Sequence, residues 1–167
     1  GVRTPPLPAP ATDDHGHDVR DSLEHIDRRY PADFALEKVR GYAAEHSLTI
    51  ELPQEDAQRR ALLLTGWTDY AFSGDNVAAH QRGLSLHPPS LQIPDGSGGW
   101  KTVLPEIGFP VGGPQTIVVD LPGRLPPTVH RVRIVTTMRV YWDQILVGTV
   151  EPRADVRLTW IEPQTST

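Results

Sequence analysis

One stretch of the chain, residues 129–147, constrains the fold more than any other. It reads VHRVRIVTTMRVYWDQILV, and its even positions from 132 to 142 are apolar or nearly so, whereas arginine, threonine and aspartate fill most odd positions. Alternation with a period of two is the signature of a β-strand that buries one face. Because strands usually run about five or six residues, the stretch predicts either one long bent strand or two strands joined near Thr136 and Thr137.

The rest of the chain reads as short strands separated by turns. Its 167 residues include 17 prolines and 14 glycines, most of them between apolar runs, which favours strands and turns over a helical bundle. Residues 68–76 are a turn-rich connection and residues 76–86 offer a further strand. Alternation or continuous apolar runs predict strands at 47–52, 61–67, 90–93, 100–104, 116–121 and 155–162. We therefore predict a mainly β fold, an antiparallel β-sandwich of the jelly-roll or galactose-binding-like type.

The N-terminal part is predicted to lie outside this sandwich. Residues 1–17 begin with alternating proline and small residues, which predicts an extended arm that is usually solvated and in a minority of proteins lies along a partner subunit. Residues 19–30 space their apolar side chains as on one face of a helix, with Asp18 as its N-cap. The predicted organisation is an arm at 1–17, a helical segment at 18–46, a β-sandwich at 47–163 and a tail at 164–167.

Charge and cysteine content exclude several functions. The formal net charge is −5, which argues against general nucleic-acid binding because phosphate neutralisation needs an excess of clustered Lys and Arg. The absence of cysteine excludes disulfides, thiol catalysis and cysteine-ligated zinc. No apolar run approaches the roughly 20 residues of a membrane helix. A G-x-S-x-G nucleophile elbow is also absent, and the histidines and carboxylates show no recognised catalytic spacing. We predict no enzymatic activity and no cofactor.

Two loops offer metal ligands without defining a site. In the segment DDHGHD, His15 and His17 point to one side of an extended chain beside three aspartates, but nothing in the sequence fixes a third ligand in space, and the glycine between them favours a flexible turn. We therefore assign no metal site there. A second loop offers oxygen ligands that suit calcium only weakly: Asp69, Asp75 and Asn76.

Two surfaces are candidates for binding. On the odd positions of the long stretch, Arg131, Arg133, Arg139 and Tyr141 are predicted to face away from the core and are candidates for a partner contact, where the arginine row could dock an acidic partner. The alternative is a solvated face balanced by carboxylates on neighbouring strands, at positions 120, 143 and 155. The second surface consists of aromatic side chains next to loops, whose flat faces suit sugar rings: Trp67, Tyr70 and Trp100.

Several segments resemble, in their order, the C-terminal region of bacterial cartilage-acidic-protein-like proteins: LLLTGWTDY, PPSLQIPDG, EIGFPVG, TIVVDL, and RVRI followed by MRVYWDQIL. Those proteins carry FG-GAP propeller repeats and an ASPIC/UnbV segment. The resemblance covers residues 13–147 and implies a periplasmic or secreted location and a role as a binding or assembly module. It carries over no catalytic residue. Because propeller repeats are absent, the chain resembles either an excised terminal module or a short stand-alone relative.

We therefore expect a non-catalytic, extracytoplasmic structural or accessory module that acts through protein–protein contacts, as a subunit of a larger and membrane-associated assembly. The alternative is a carbohydrate-binding module, since a fold class alone does not determine function.

Overall fold

The protein is built on an antiparallel sheet of eight strands, in a computed structural model that describes residues 5–54 and 59–150. These residues also form one α-helix, α1 (Ser73–Gln81), and a 3-10 turn (Arg20–Leu23), and they include no helix with the length and apolar composition needed to cross a bilayer. The strands are β1 (Leu7–Pro8), β2 (Ala11–Asp13), β3 (Tyr42–Glu51), β4 (Arg60–Asp69), β5 (Ser90–Pro94), β6 (Trp100–Leu104), β7 (Gln115–Asp120) and β8 (Arg131–Thr149). The mainly β, antiparallel fold is confirmed. The strand predicted at 155–162 and the predicted tail lie outside the described residues.

β8 is one continuous strand of 19 residues. It pairs with four of the other strands named above and thereby joins the strand pairs of the sheet to one another. Its first half pairs with β3 and β5, and its second half pairs with β4 and β1. The remaining strands attach further out, β2 on β3, β6 on β5 and β7 on β4. Of the two arrangements that the alternation allows, the single long strand is therefore the one that forms.

A β-bulge in β8 changes which positions face the core. The register against β4 shifts between Thr65, which pairs with Gln144, and Gly66, which pairs with Trp142. Asp143 is the extra residue on β8, as expected of a bulge that sets two residues against one. Even positions from 132 to 142 are buried before the bulge, which confirms the predicted inward face, whereas odd positions 145 and 147 are buried after it. Asp143, predicted to be on the polar face, is only 5% exposed.

The hydrophobic core is continuous across both halves of β8. Its fully buried members include Ile50 of β3, Leu62 and Leu64 of β4, Leu91 of β5 and Val132 of β8. Burial of each such side chain contributes about 1.5–3 kcal/mol to folding. The core therefore ties the strands on either side of the bulge into one unit, while the finer assignment to a jelly-roll sandwich stays a prediction.

The N-terminal arm belongs to the sheet. Its described part forms β1 and β2, and Ala9 and Ala11 are buried. Part of the arm predicted at 1–17 is thus paired within the sheet, because β8 holds residues 7–8 and β3 holds residues 11–13.

The predicted helix over residues 19–30 is also wrong. Only the 3-10 turn forms, and Asp18 accepts a hydrogen bond from the Arg20 N–H at 3.0 Å at its start. Arg28 has φ +65°, a left-handed conformation that a right-handed helix does not contain, and Ile26 is 60% exposed instead of facing the core. Helical spacing is overridden here by tertiary hydrogen bonds to the Asp143 carboxylate. The predicted helical segment at 18–46 instead overlaps β3, which begins at Tyr42.

The helix α1 occupies a segment that the sequence assigns to a turn and a strand. It buries only Ala79 and thus lacks the apolar stripe from which a helix is predicted. Tertiary contact holds it, since the Tyr42 hydroxyl donates to Asn76 Oδ1 at 2.6 Å. Its first turn is closed by Asp75, whose carboxylate accepts the Phe72 N–H at 2.9 Å.

Candidate functional site

Two arginines of β8 lie over the ring of one tryptophan of β6. The guanidinium carbons of Arg131 and Arg133 are 5.4 and 4.7 Å from the centre of the Trp100 ring. Alternation along β8 puts both arginines on the same face, and the β5–β6 hairpin brings Trp100 alongside them. Each exposed cation–π contact contributes about 0.5–1 kcal/mol. We call Arg131, Arg133 and Trp100 the Arg–Trp patch.

The loop before Trp100 is ordered by its own carboxylate. Asp95 accepts hydrogen bonds from the Ser97 N–H, the Ser97 hydroxyl and the Gly99 N–H at 2.8 to 3.0 Å. The bonds from Ser97 and Gly99 hold the pKa of the Asp95 carboxyl below its ordinary value. The Gly-rich segment is thus a defined turn that fixes the position at which β6 begins.

The arginines of the patch are held by uncharged contacts. Arg133 donates from Nε to Gln92 Oε1 at 2.9 Å. Among the residues that the structure describes, no salt bridge involves Arg131 or Arg133. Glu51 is opposite Arg131 in the β3–β8 ladder, but it does not form a salt bridge with Arg131 either. Asp143 is buried and Asp155 lies outside the described residues. The patch therefore carries positive charge that no described carboxylate neutralises by direct contact.

Arg139, predicted on the same surface, is used inside the protein. Its side chain is 14% exposed, and its guanidinium donates to the backbone carbonyls of Glu37, Val39 and Tyr42 at 2.8 to 3.2 Å. A salt bridge of 3.5 Å to Asp69 completes its contacts. These bonds fasten the loop before β3 to β8, so we do not include Arg139 in the patch.

Tyr141 belongs to a separate aromatic cluster. Its ring stacks on Trp67 at 4.8 Å, and the two residues are paired across β8 and β4. Tyr30 and Phe34 pack against Tyr141 at 5.8 and 5.6 Å, and Phe34 stacks on His46 at 3.8 Å. Burial raises the pKa of the Tyr141 hydroxyl. The sequence does not predict that Tyr30 and Phe34 join this cluster, because both come from a segment without regular structure.

The three aromatic side chains proposed for sugar binding have different neighbours. Trp67 is in the aromatic cluster and Trp100 is in the Arg–Trp patch. Tyr70 packs edge-on against Phe109, with ring centres 6.4 Å apart, and its hydroxyl accepts the Gly112 N–H. Each ring thus takes part in its own set of protein contacts.

The oxygen atoms considered for calcium are also in use. Asp69 pairs with Arg139, Asp75 accepts the Phe72 N–H, and Asn76 accepts the Tyr42 hydroxyl. By contrast, a third and a fourth side chain join His15 and His17: the ligand atoms of Asp13, His15, His17 and Asp33 all lie within 4.8 Å of one another. Asp33 is remote in sequence, and only the folded chain brings it there.

A scan against protein-family models and searches of curated proteins and of solved structures found no match to this chain. The resemblance to cartilage-acidic-protein-like proteins therefore stays an expectation from the sequence.

Proposed function

We propose that this protein is a non-catalytic accessory module that binds an acidic segment of a partner protein through the Arg–Trp patch. The observation that carries the proposal is the placement of two guanidinium groups over one partly exposed aromatic ring, without a salt bridge from either arginine to a described carboxylate.

The chemistry of the patch suits a carboxylate-bearing partner. A guanidinium presents a planar set of donors that matches a carboxylate in two parallel hydrogen bonds. Tryptophan and arginine are enriched among the residues that dominate the free energy of protein–protein binding. Because Gln92 already holds Arg133, less side-chain freedom is lost when a partner binds.

The wider context is part of the same proposal. The extracytoplasmic location and the membership of a larger, membrane-associated assembly rest on the resemblance found in the sequence. The sandwich of jelly-roll type is supported by the meeting of side chains from both halves of β8 in one core. Fractionation of the native cells with an antibody against this chain tests the location, and recovery in the cytoplasm alone contradicts it.

Capture from native extracts tests the patch directly. The tagged chain is expected to retain an acidic protein, and the retention is expected to weaken as salt is raised, because screening acts on exposed charges. The double variant Arg131→Ala, Arg133→Ala is expected to lose the partner, whereas Arg82→Ala, which removes an exposed arginine outside the patch, is expected to keep it.

Two results would reject this function. One is a chain that runs as a free monomer from every native extract. The other is binding on a glycan array that is lost in Trp100→Ala but retained in the double arginine variant, which would replace the protein partner with a carbohydrate.

A further inference from the structure

The segment after β2 is a closed turn rather than a flexible loop. Asp13 Oδ1 accepts the N–H groups of His15 and His17 at 3.0 and 2.9 Å, and the Asp13 N–H donates to the His17 carbonyl at 3.0 Å. Gly16, with φ +82°, allows the chain to reverse between the two histidines. The turn therefore holds the backbone of both histidines next to the Asp13 carboxylate, while their side chains stay free to rotate.

The second oxygen of Asp13 is left for a ligand role. Oδ2 lies 3.3 Å from His17 Nδ1, and the side chain of Asp13 is only 8% exposed. Two backbone N–H donors on Oδ1 orient the carboxylate, which is how outer contacts usually hold a metal-binding carboxylate in proteins.

Asp33 reaches the same point from a different segment. Its Oδ2 lies 3.1 Å from His15 Nδ1 and 3.4 Å from His17 Nδ1. In a tetrahedral shell with metal–ligand bonds of about 2.0–2.1 Å, neighbouring ligand atoms are about 3.3 Å apart. The three separations of 3.1, 3.3 and 3.4 Å match that spacing, and all four ligand atoms lie within 4.8 Å.

We propose that Asp13, His15, His17 and Asp33 form a binding site for a divalent transition-metal ion of the zinc type. Two imidazole nitrogens with two carboxylate oxygens suit zinc, whereas calcium takes six to eight oxygen ligands. Rotation of the exposed histidine side chains closes the wider separations when the ion binds.

The ion joins β2 to the segment around residues 31–34, and among the residues that the structure describes no strand pairing links these two directly. Asp13 ends β2, whereas Asp33 precedes Phe34, whose ring stacks on His46 of β3. Both aspartates line a small cleft whose apolar wall includes Leu48 and Trp142. Metal binding therefore clamps the segment around residues 31–34 against the sheet, and its free energy adds to the stability of the fold.

Zinc titration of the chain after chelator treatment tests the site. One equivalent of zinc is expected to bind and to raise the melting temperature, and calcium at the same concentration is expected to leave it unchanged. Cobalt in place of zinc is expected to give the visible absorption of a tetrahedral ion. Zinc that leaves the melting temperature unmoved would show that the four side chains are only hydrogen-bonded to one another, and would overturn the site.

Variants separate this site from incidental binding by exposed histidines. Asp33→Asn and the double variant His15→Ala, His17→Ala are expected to bind zinc more weakly than the parent. Substitution of residues that only hold a ligand typically lowers affinity about 10- to 100-fold, and the loss of a direct ligand is expected to exceed that. His25→Ala, which removes an exposed histidine outside the cluster, is expected to bind as the parent does. Unchanged affinity in Asp33→Asn would overturn the four-ligand site, because the histidine pair alone would then account for binding.

Discussion

The buried carboxylate of Asp143 holds together parts of the chain that are far apart in sequence. It accepts the N–H groups of Asp27 and Arg28 at 3.0 to 3.2 Å, and Arg28 is the residue with a left-handed backbone. Such a conformation costs free energy and persists where surrounding contacts impose it. Asp143 therefore shapes the segment that replaces the predicted helix.

Replacing Asp143 with alanine is expected to destabilise the protein by about 1–3 kcal/mol, because the two N–H groups lose their acceptor. The measurement is the free energy of unfolding in urea. Asp120→Ala, which removes an exposed carboxylate at the end of β7, serves as the control and is expected to change stability by less than about 0.5 kcal/mol. Equal effects of the two variants would show that the Asp143 bonds add nothing to stability.

His46 makes stability depend on pH. Burial lowers the pKa of its ring below the ordinary value of 6.5, against the opposing effects of the hydrogen bond to the Ala44 carbonyl and the charges of Asp14 and Glu45. The unfolded chain thus binds the proton more readily than the folded one, and stability falls as pH drops from 6.5 towards the lower folded pKa.

Unfolding free energies of the parent and of His46→Phe, measured from pH 8 to about pH 5 with chelator present, test this pH dependence. The variant keeps a ring against Phe34 and is expected to lose less stability on acidification. Parallel curves for the parent and His46→Phe would contradict the prediction.

At the residue scale, alternation predicts the buried even positions of β8 correctly, because strand geometry links neighbouring residues directly. It fails at Asp143, since a bulge depends on how the partner strand aligns. Alternation places Arg131 and Arg139 on the same face, yet Arg131 is exposed and Arg139 is largely buried. The difference comes from tertiary structure, because residues 37–42 cover Arg139. Asp33 becomes a candidate ligand only through folding.

At the scale of elements, the close contact of β4 with the bulge depends on Gly66. A Cβ at this position would collide with the Tyr141 carbonyl oxygen and lie 3.0 Å from Trp142 Cα. Neither neighbour is the end of a flexible side chain, so the strands would have to separate.

Gly66→Ala is therefore expected to cost about 1–3 kcal/mol or more, as overpacking does in a dense interior. Gly74→Ala in α1 is the matched control, because its Cβ meets no atom within 4 Å, and it is expected to be neutral or stabilising by up to about 1 kcal/mol. Thermal and urea denaturation measure both variants. If Gly66→Ala does not lower stability, β4 and β8 must lie further apart at this position than the structure shows.

Elements differ in how well the sequence predicts them. The hairpin of β5 and β6 is predicted within one residue, since turn residues and alternation agree over a short segment. The sequence does not predict α1, because this helix lacks an apolar stripe. It predicts a helix in place of the N-terminal turn, because an apolar stripe is present there but tertiary hydrogen bonds override it.

At the scale of the whole molecule, β8 should make unfolding a single cooperative transition. Without β8, the described part of the sheet divides into the pairs β2–β3, β5–β6 and β4–β7, and within that part no pair is bonded to another. A pair of strands alone is at best marginally stable in water. Detachment of β8 from the strands of one half is therefore expected to unfold the strands of both halves.

Two variants that retain only Trp67 or only Trp100 report on the two halves separately, with phenylalanine at the other tryptophan positions. Fluorescence of each and far-ultraviolet circular dichroism are expected to give coincident denaturation curves. As a control, the variants must match the parent in circular dichroism before denaturation. Separate midpoints for the two probes would show that the halves unfold independently.

β8 follows in sequence all the strands that pair with it, which determines when those strands can fold during synthesis. A ribosome releases β3, β4 and β5 long before residues 131–149, so these strands emerge without the neighbour that each of them needs. Unpaired strand edges on a growing chain are prone to association with other chains. Productive pairing of these strands is thus postponed until β8 has been synthesised, and until then their free edges are open to association with other chains.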